Sequence, residues 1–237
     1  MSSAFTAPTP AACASRHSTA RTSITSARPS PRSCNAAPVT APSAAPLPDD
    51  FIRDALQNRH NRAILDRLPA LGLPDAWLVA GCLFQTIWNL RSGQPPEAQI
   101  KDYDLFYFDP SDLSEAAEAR INERVSACFS GLGIVVEAKN QARVHTWYQA
   151  YFGFPYPALG SSMDGIDRFL VRCTCVGLSA GESGLALYAP NGMQALYQGQ
   201  LGPNPLCPHL PLFEKKARAY QERWSWLEIA PAPSRDF

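Results

Sequence analysis

Two aspartates one residue apart, Asp102 and Asp104, open the aromatic run at 103–108, in the stretch KDYDLFYFD. Side chains alternate faces along a strand, so residues two apart point the same way. Carboxylates that share a face repel one another and resist burial unless a cation joins them. Oxygen donors of this kind suit Mg²⁺, or Mn²⁺ in its place. Glu137, inside the later apolar run at 134–138, is a third acid placed to come from a neighbouring strand. The chemistry such a set serves is two-metal phosphoryl transfer. One ion lowers the pKa of an attacking hydroxyl and the other neutralises a leaving pyrophosphate. Ahead of the pair, Gly81 ends the apolar run at 77–80 and precedes a helix, a turn where a phosphate can approach backbone.

The elements that must position these residues follow from periodicity. Asp49 and Asp50 open a helical segment over 51–68, with Ile52, Leu56, Ala63, Ile64 and Leu68 as its buried face and Pro69 at its end. The run WLVA at 77–80 predicts a short buried strand, followed by a helix over 83–90. Gly93, Pro95 and Pro96 make 91–99 an irregular loop. After the acidic strand, Asp112 and Glu115 stand at capping-box spacing before a helix whose apolar residues, from Leu113 to Leu132, recur every three or four positions. A strand over 134–138 and an aromatic-rich helix over 141–152 come next. Residues 169–178 are β-rich and pair with 186–188 as a hairpin. A short helix ends at Gln198, and a last one over 212–227 carries Phe213, Ala217, Tyr220, Trp224 and Leu227 on one stripe. Its Lys215, Lys216 and Arg218 are expected to face solvent. The sum is an α/β (α+β) fold, helices packed around one mixed sheet.

Composition sets the limits of the domain. Residues 1–48 hold no acid, four arginines and eight prolines among Ala, Ser and Thr, a mixture too poor in apolar surface to order itself. They are expected to be a disordered extension, with the folded domain over 49–229 and a disordered tail over 230–237. The whole chain has zero net charge, 21 basic against 21 acidic residues. Without the extension the balance is 21 − 4 = 17 basic to 21 acidic, which argues against a long nucleic acid as partner. No apolar run approaches the roughly 18 residues of a membrane span. Seven cysteines, an odd number without C-x-x-C spacing, fit a reducing, cytoplasmic compartment.

A strand, a glycine turn into a helix, D-x-D on the next strand and an acid on a third resemble the DNA polymerase beta-type nucleotidyltransferases. The stretches AGCLFQTIWN, IKDYDLFYFD, VEAKNQARVHTWY and GIDRFLVRCTCVG resemble, more closely, a bacterial family of uncharacterised nucleotidyltransferases, over residues 78–226. The resemblance implies a mixed sheet of that type and transfer of a nucleoside monophosphate from an NTP to a hydroxyl acceptor. It implies that Asp102 and Asp104 bind the metals, that Glu137 helps to activate the acceptor, and that the Gly81 and Cys82 amides hold the β- and γ-phosphates. The superfamily usually has Gly-Ser or Gly-Gly at that turn, so Cys82 removes a hydroxyl contact.

Other polar residues carry less. Arg143 is expected on the triphosphate, with Asn140 and His145 lining the same cleft, although a lone histidine is ordinarily structural. Cys173 and Cys175 lack the partners of a zinc site and read as core. Two other readings of the whole stand beside the transferase. One is an inactive relative that binds a nucleotide as a sensor, and the other is a D-x-D glycosyltransferase.

Overall fold

The computed structural model describes residues 45–182 and 184–230. The expected disordered extension lies outside the described residues up to residue 44, as does the tail from residue 231. The first element, α1, spans Pro48–Ala55, and α2 spans Arg59–Arg67. These replace the single helix expected over 51–68. Asn58 is the reason. Its Oδ1 accepts from the amides of His60 and Asn61, capping α2, while its Nδ2 donates to Thr86 Oγ1 at 3.0 Å and to Tyr103 Oη at 3.3 Å. A buried asparagine tied at both ends stops one helix and starts another.

Strand β1 spans Trp77–Val79, α3 spans Gly81–Arg91 and β2 spans Asp102–Tyr107. Helix α4 covers Glu115–Phe129 and β3 covers Val135–Asn140. The cap of α4 is Ser114, whose Oγ accepts from Ala117 N at 3.1 Å. Asp112, expected as the cap, instead accepts from Ser114 N and fixes the turn before it. Helix α5 spans Val144–Phe152, preceded by a 3-10 turn over Gln141–Arg143, and α6 spans Ser162–Ile166. Of the β-rich stretch at 169–178, residues Arg172–Thr174 form a 3-10 turn, and the strand β4 begins only at Gly177. β4 (Gly177–Gly181) and β5 (Gly184–Tyr188) make the expected hairpin. Helix α7 (Gln194–Gln198), β6 (Gln200–Leu201), α8 (Leu210–Arg223) and β7 (Glu228–Ile229) complete the chain.

The main sheet runs β3-β2-β1-β4-β5, with β2 and β3 parallel and the other pairs antiparallel. It is the mixed sheet with packed helices that the sequence predicts. Register sorts its two faces. Leu78, Tyr103, Leu105, Tyr107, Val136, Ala138 and Leu178 point into the main core, against α1 to α4. The opposite face carries Val79 and Phe106, covered by Ile166, Phe169 and Cys175. The same face, by the two-residue alternation, carries Asp102, Asp104, Glu137 and Lys139.

Helix α8 is fixed to α3 by aromatic packing. Trp88 meets Tyr220 and Trp224 with ring centroids 5.2 Å apart in both cases, and Phe84 meets Tyr220 at 5.5 Å. Such pairs contribute about 0.5–1.5 kcal/mol each beyond burial. Both indoles are satisfied, Trp88 Nε1 by Leu196 O at 3.0 Å and Trp224 Nε1 by Asn89 Oδ1 at 3.1 Å.

Candidate active site

The pairing of β2 with its neighbours assembles the acids. Asp104 lies opposite Val79 on β1 and opposite Glu137 on β3, and parallel partners in register share a face. Asp102, two residues before, joins them. Asp104 is nearly buried, at 4% exposure, whereas Asp102 and Glu137 are half-buried and reach solvent. Lys139 Nζ lies 3.8 Å from Glu137 Oε2, a distance of ion pairing rather than of a hydrogen bond. Glu137 Oε2 is buried and accepts no hydrogen bond. A buried carboxylate oxygen in that state costs on the order of 1–3 kcal/mol unless something else takes it up.

The turn at the end of β1 meets the same acids. Ala80 has φ 63° and ψ −139°, a conformation that non-glycine residues seldom adopt and that persists where surrounding structure imposes it. The strained residue is therefore Ala80 rather than Gly81. Gly81 serves close approach: a Cβ there would lie 2.5 Å from Gln85 Nε2. The amides of Gly81 and Cys82 stand at the open N-terminus of α3, where a helix has no internal acceptors and no side chain caps this one.

The Cys82 side chain takes no part in that opening. It is fully buried, and its Sγ donates to Val79 O at 3.2 Å. Burial pushes the thiol well above its usual pKa, with the charges of Asp104 and Asp102 pushing the same way. The Cys82 carbonyl is held from behind by Thr86 Oγ1 at 2.7 Å and Asn61 Nδ2 at 2.9 Å. The position thus contributes backbone alone, and the hydroxyl missing from it would have pointed into the protein.

Arg143 is not brought to the carboxylates. Its Nη1 pairs with Glu118 Oε2 of α4 at 2.5 Å, and its Nε donates to Leu113 O at 3.1 Å. The other oxygen of Glu118 accepts from Asn140 N at 2.8 Å. Asn140 is buried and clasps Asp109, accepting from its amide at 3.0 Å and donating to its carbonyl at 2.8 Å. These two residues fasten the end of β3 to α4, whereas they were expected on the triphosphate and in the cleft. His145 lies on α5 with a buried Nδ1 that has no partner. Cys173 and Cys175 are buried free thiols, as expected of core.

Sequence reasoning missed Lys216. Expected on the solvated face of the last helix, it is half-buried on α8, and Asp104 and Asp102 are its charged neighbours. Burial lowers its pKa to about 8 against the opposing pull of those two carboxylates. Its Nζ stands 6.0 Å from the ring centroid of Tyr220, one turn along the helix, and burial raises the Tyr220 phenol strongly. The helical stripe that buries Phe213, Ala217 and Tyr220 leaves residue 216 on its shoulder, the one signal that could have found it.

Among the described residues, no three Asp, Glu, His or Cys side chains form a ready-made metal cage. The donor set still fits a hard cation. Mg²⁺ is commonly held by one or two carboxylates plus substrate phosphates and keeps several waters. Glu137 Oε2, which has the Lys139 ammonium at 3.8 Å but accepts no hydrogen bond, is the kind of atom such an ion, or a proton from substrate, would satisfy.

A five-stranded mixed sheet thus presents acids on β2 and β3 beside an uncapped helix N-terminus. The chain belongs to the Nucleotidyltransferase family, whose model matches residues 66–229. Among solved structures it is similar to one described as revealing a CCA-adding enzyme head domain, at 27% identity and a TM-score of 0.64. That likeness covers 78% of this chain and 96% of the other. No curated protein matches. The family implies a nucleotide substrate and decides against the glycosyltransferase reading. Among the described residues, no helix is long and apolar enough to cross a membrane.

Proposed function

We propose that this protein transfers a nucleoside monophosphate from an NTP to a hydroxyl acceptor, with Mg²⁺ or Mn²⁺ held on the carboxylate face. The observation that carries this reading is the register Val79–Asp104–Glu137, which sets two acids beside the N-terminus of α3. Asp102 and Asp104 would hold the metal, with Glu137 beside them. When bound, such an ion makes the acceptor hydroxyl more acidic and neutralises charge on the leaving pyrophosphate.

The residues of the chain do the rest. The Gly81 and Cys82 amides receive phosphate oxygens at the positive end of α3. The strained Ala80, whose carbonyl accepts from Leu83 N at 3.1 Å and from Phe84 N, keeps the Gly81 amide from rotating away. Glu137 Oε2 accepts the acceptor's proton as its oxygen bonds to the α-phosphorus and the α–β bridging bond breaks.

Pyrophosphate release from each of the four NTPs, with Mg²⁺ or Mn²⁺ and a cell extract to supply the acceptor, tests this. Metal-dependent release that disappears in Asp102→Ala/Asp104→Ala is the expected result. NTP binding that needs metal but gives no release would replace the transferase with a nucleotide sensor. Absence of NTP binding would end both.

A further inference from the structure

A sheet leaves amides and carbonyls unpaired along its two outer strands, and proteins cover or blunt such edges. The edge at β3 is covered. Asn122 of α4 accepts from Ala138 N at 2.8 Å and donates to Ala138 O at 2.8 Å, while Glu118 accepts from Asn140 N. The edge at β5 is treated otherwise. Its sequence, GLALY over 184–188, has no charge and no proline, and it pairs with β4 residue for residue, without a bulge. Among the described residues, no other segment bonds to the backbone of β5 on its outer side.

The side chains at this edge are apolar too. Leu185 is 39% exposed, and the half-buried Leu187 stands opposite Leu178 of the main core. By alternation Leu185 and Leu187 share the core face, with Ala186 and Tyr188 on the other. The strand is also symmetric, since Leu-Ala-Leu reads the same in both directions about Ala186. A second copy, related by a twofold axis through Ala186 and perpendicular to the sheet, therefore sets each Leu185 opposite Leu187 of the other copy. Opposed residues share a face, so only an axis through a residue continues both faces of the sheet. An axis through Leu185 or Leu187 would oppose leucine to leucine once, and the axis through Ala186 does so twice. The same register carries the exposed Glu182, in the turn after β4, towards the chain beyond Tyr188 of the other copy. There the exposed Arg172 donates to Asn191 Oδ1 at 2.8 Å, so an acid meets a base at each end.

We propose that this protein self-associates through β5, two copies pairing antiparallel about Ala186 so that their sheets and apolar core faces join. The pairing is independent of what the carboxylate face binds. Each strand offers five residues, which sets the contact at the small end of specific interfaces and makes the dimer weak and concentration-dependent.

The test follows the full chain by sedimentation velocity from about 1 to about 200 µM, where weak contacts become populated. Native protein should pass from monomer to dimer, and Leu185→Lys should stay monomeric throughout. Leu206→Lys, at a leucine 55% exposed on the loop before α8, should dimerise like the native protein. Glu182→Arg should weaken the dimer several-fold, and Glu182→Arg/Arg172→Glu should recover it. Mild oxidation tests the register. In Ala186→Cys the two thiols face each other across the axis, at a Cα separation of about 4.5–5.5 Å that a disulfide can span. In Leu185→Cys they lie diagonally, at about 7–8 Å. Ala186→Cys should therefore cross-link as a dimer on a non-reducing gel, and Leu185→Cys should run as the native protein does. A native protein that stays monomeric overturns the proposal, as does a dimer that a folded Leu185→Lys leaves intact. If Leu185→Lys does not fold, the cross-link decides, and failure of Ala186→Cys to form it overturns the pairing.

Discussion

Removing Arg143 separates its two possible roles, on substrate or in the fold. Its guanidinium and the Glu118 carboxylate are 11% and 12% exposed and 2.5 Å apart. In Arg143→Met, Glu118 stays buried with one remaining donor, Asn140 N at 2.8 Å. Breaking a fully buried pair by removing one partner costs about 3–5 kcal/mol, an upper bound for this partly buried one. Glu118→Gln leaves the guanidinium with Leu113 O at 3.1 Å as its remaining acceptor, and should cost a similar amount, less whatever the new amide oxygen recovers. The double variant Arg143→Met/Glu118→Gln loses hydrogen bonds but strands no charge, so about 1–2 kcal/mol is expected. The coupling between the sites is then about 2 kcal/mol or more. Urea unfolding of the four proteins, at unchanged m-value, measures it. Tripolyphosphate affinity of the double variant should equal the native value. A loss below about 1 kcal/mol in Arg143→Met would refute the reasoning, as would a tenfold weaker polyphosphate affinity in a stably folded variant.

Other outcomes follow from the same packing. Cys82→Ser should lose about 1 kcal/mol of stability and leave polyphosphate affinity unchanged, because its side chain points to Val79 O, away from the opening of α3. Gly199→Ala should destabilise by about 2–5 kcal/mol in a thermal or urea melt, since φ is +74° there and the new Cβ would lie 2.3 Å from Trp226 Cζ3. Alkylation of the folded protein at pH 8, read by mass spectrometry, should spare Cys82, Cys173 and Cys175. Burial pushes Cys173 and Cys175 up to about 12 and Cys82 upward as well, and a thiol needs its deprotonated form to react. The labelling should reach them only as the pH rises towards those values or the protein unfolds.

What the sequence disclosed of the fold is what short-range physics determines. Alternation along DYDLFY set Asp102 and Asp104 on one face, and the structure keeps them there. The apolar run before Gly81 gave the strand and helix that frame the opening, and α/β packing followed from periodicity. The misses share another cause. Arg143 looked available because its partner, Glu118, lies 25 residues earlier, and pairing at that range has no local signal. Asn58 divided a helix through bonds to Thr86 and Tyr103, 28 and 45 residues away. Lys216 read as a solvated charge because its helix carries an exposed basic run. Only the packing of Tyr220 and Trp224 on Trp88 turns that shoulder of α8 towards Asp102 and Asp104.

The central claim is that the face shared by Asp102, Asp104 and Glu137 holds a divalent ion together with a polyphosphate. Mn²⁺ binding in the presence of tripolyphosphate, followed by electron paramagnetic resonance in native protein and in Asp102→Asn/Asp104→Asn, tests it most directly. Saturable Mn²⁺ binding is expected in the native protein and its loss in the variant, whose folding is checked by a thermal melt. Native-like Mn²⁺ binding by the folded variant would contradict it.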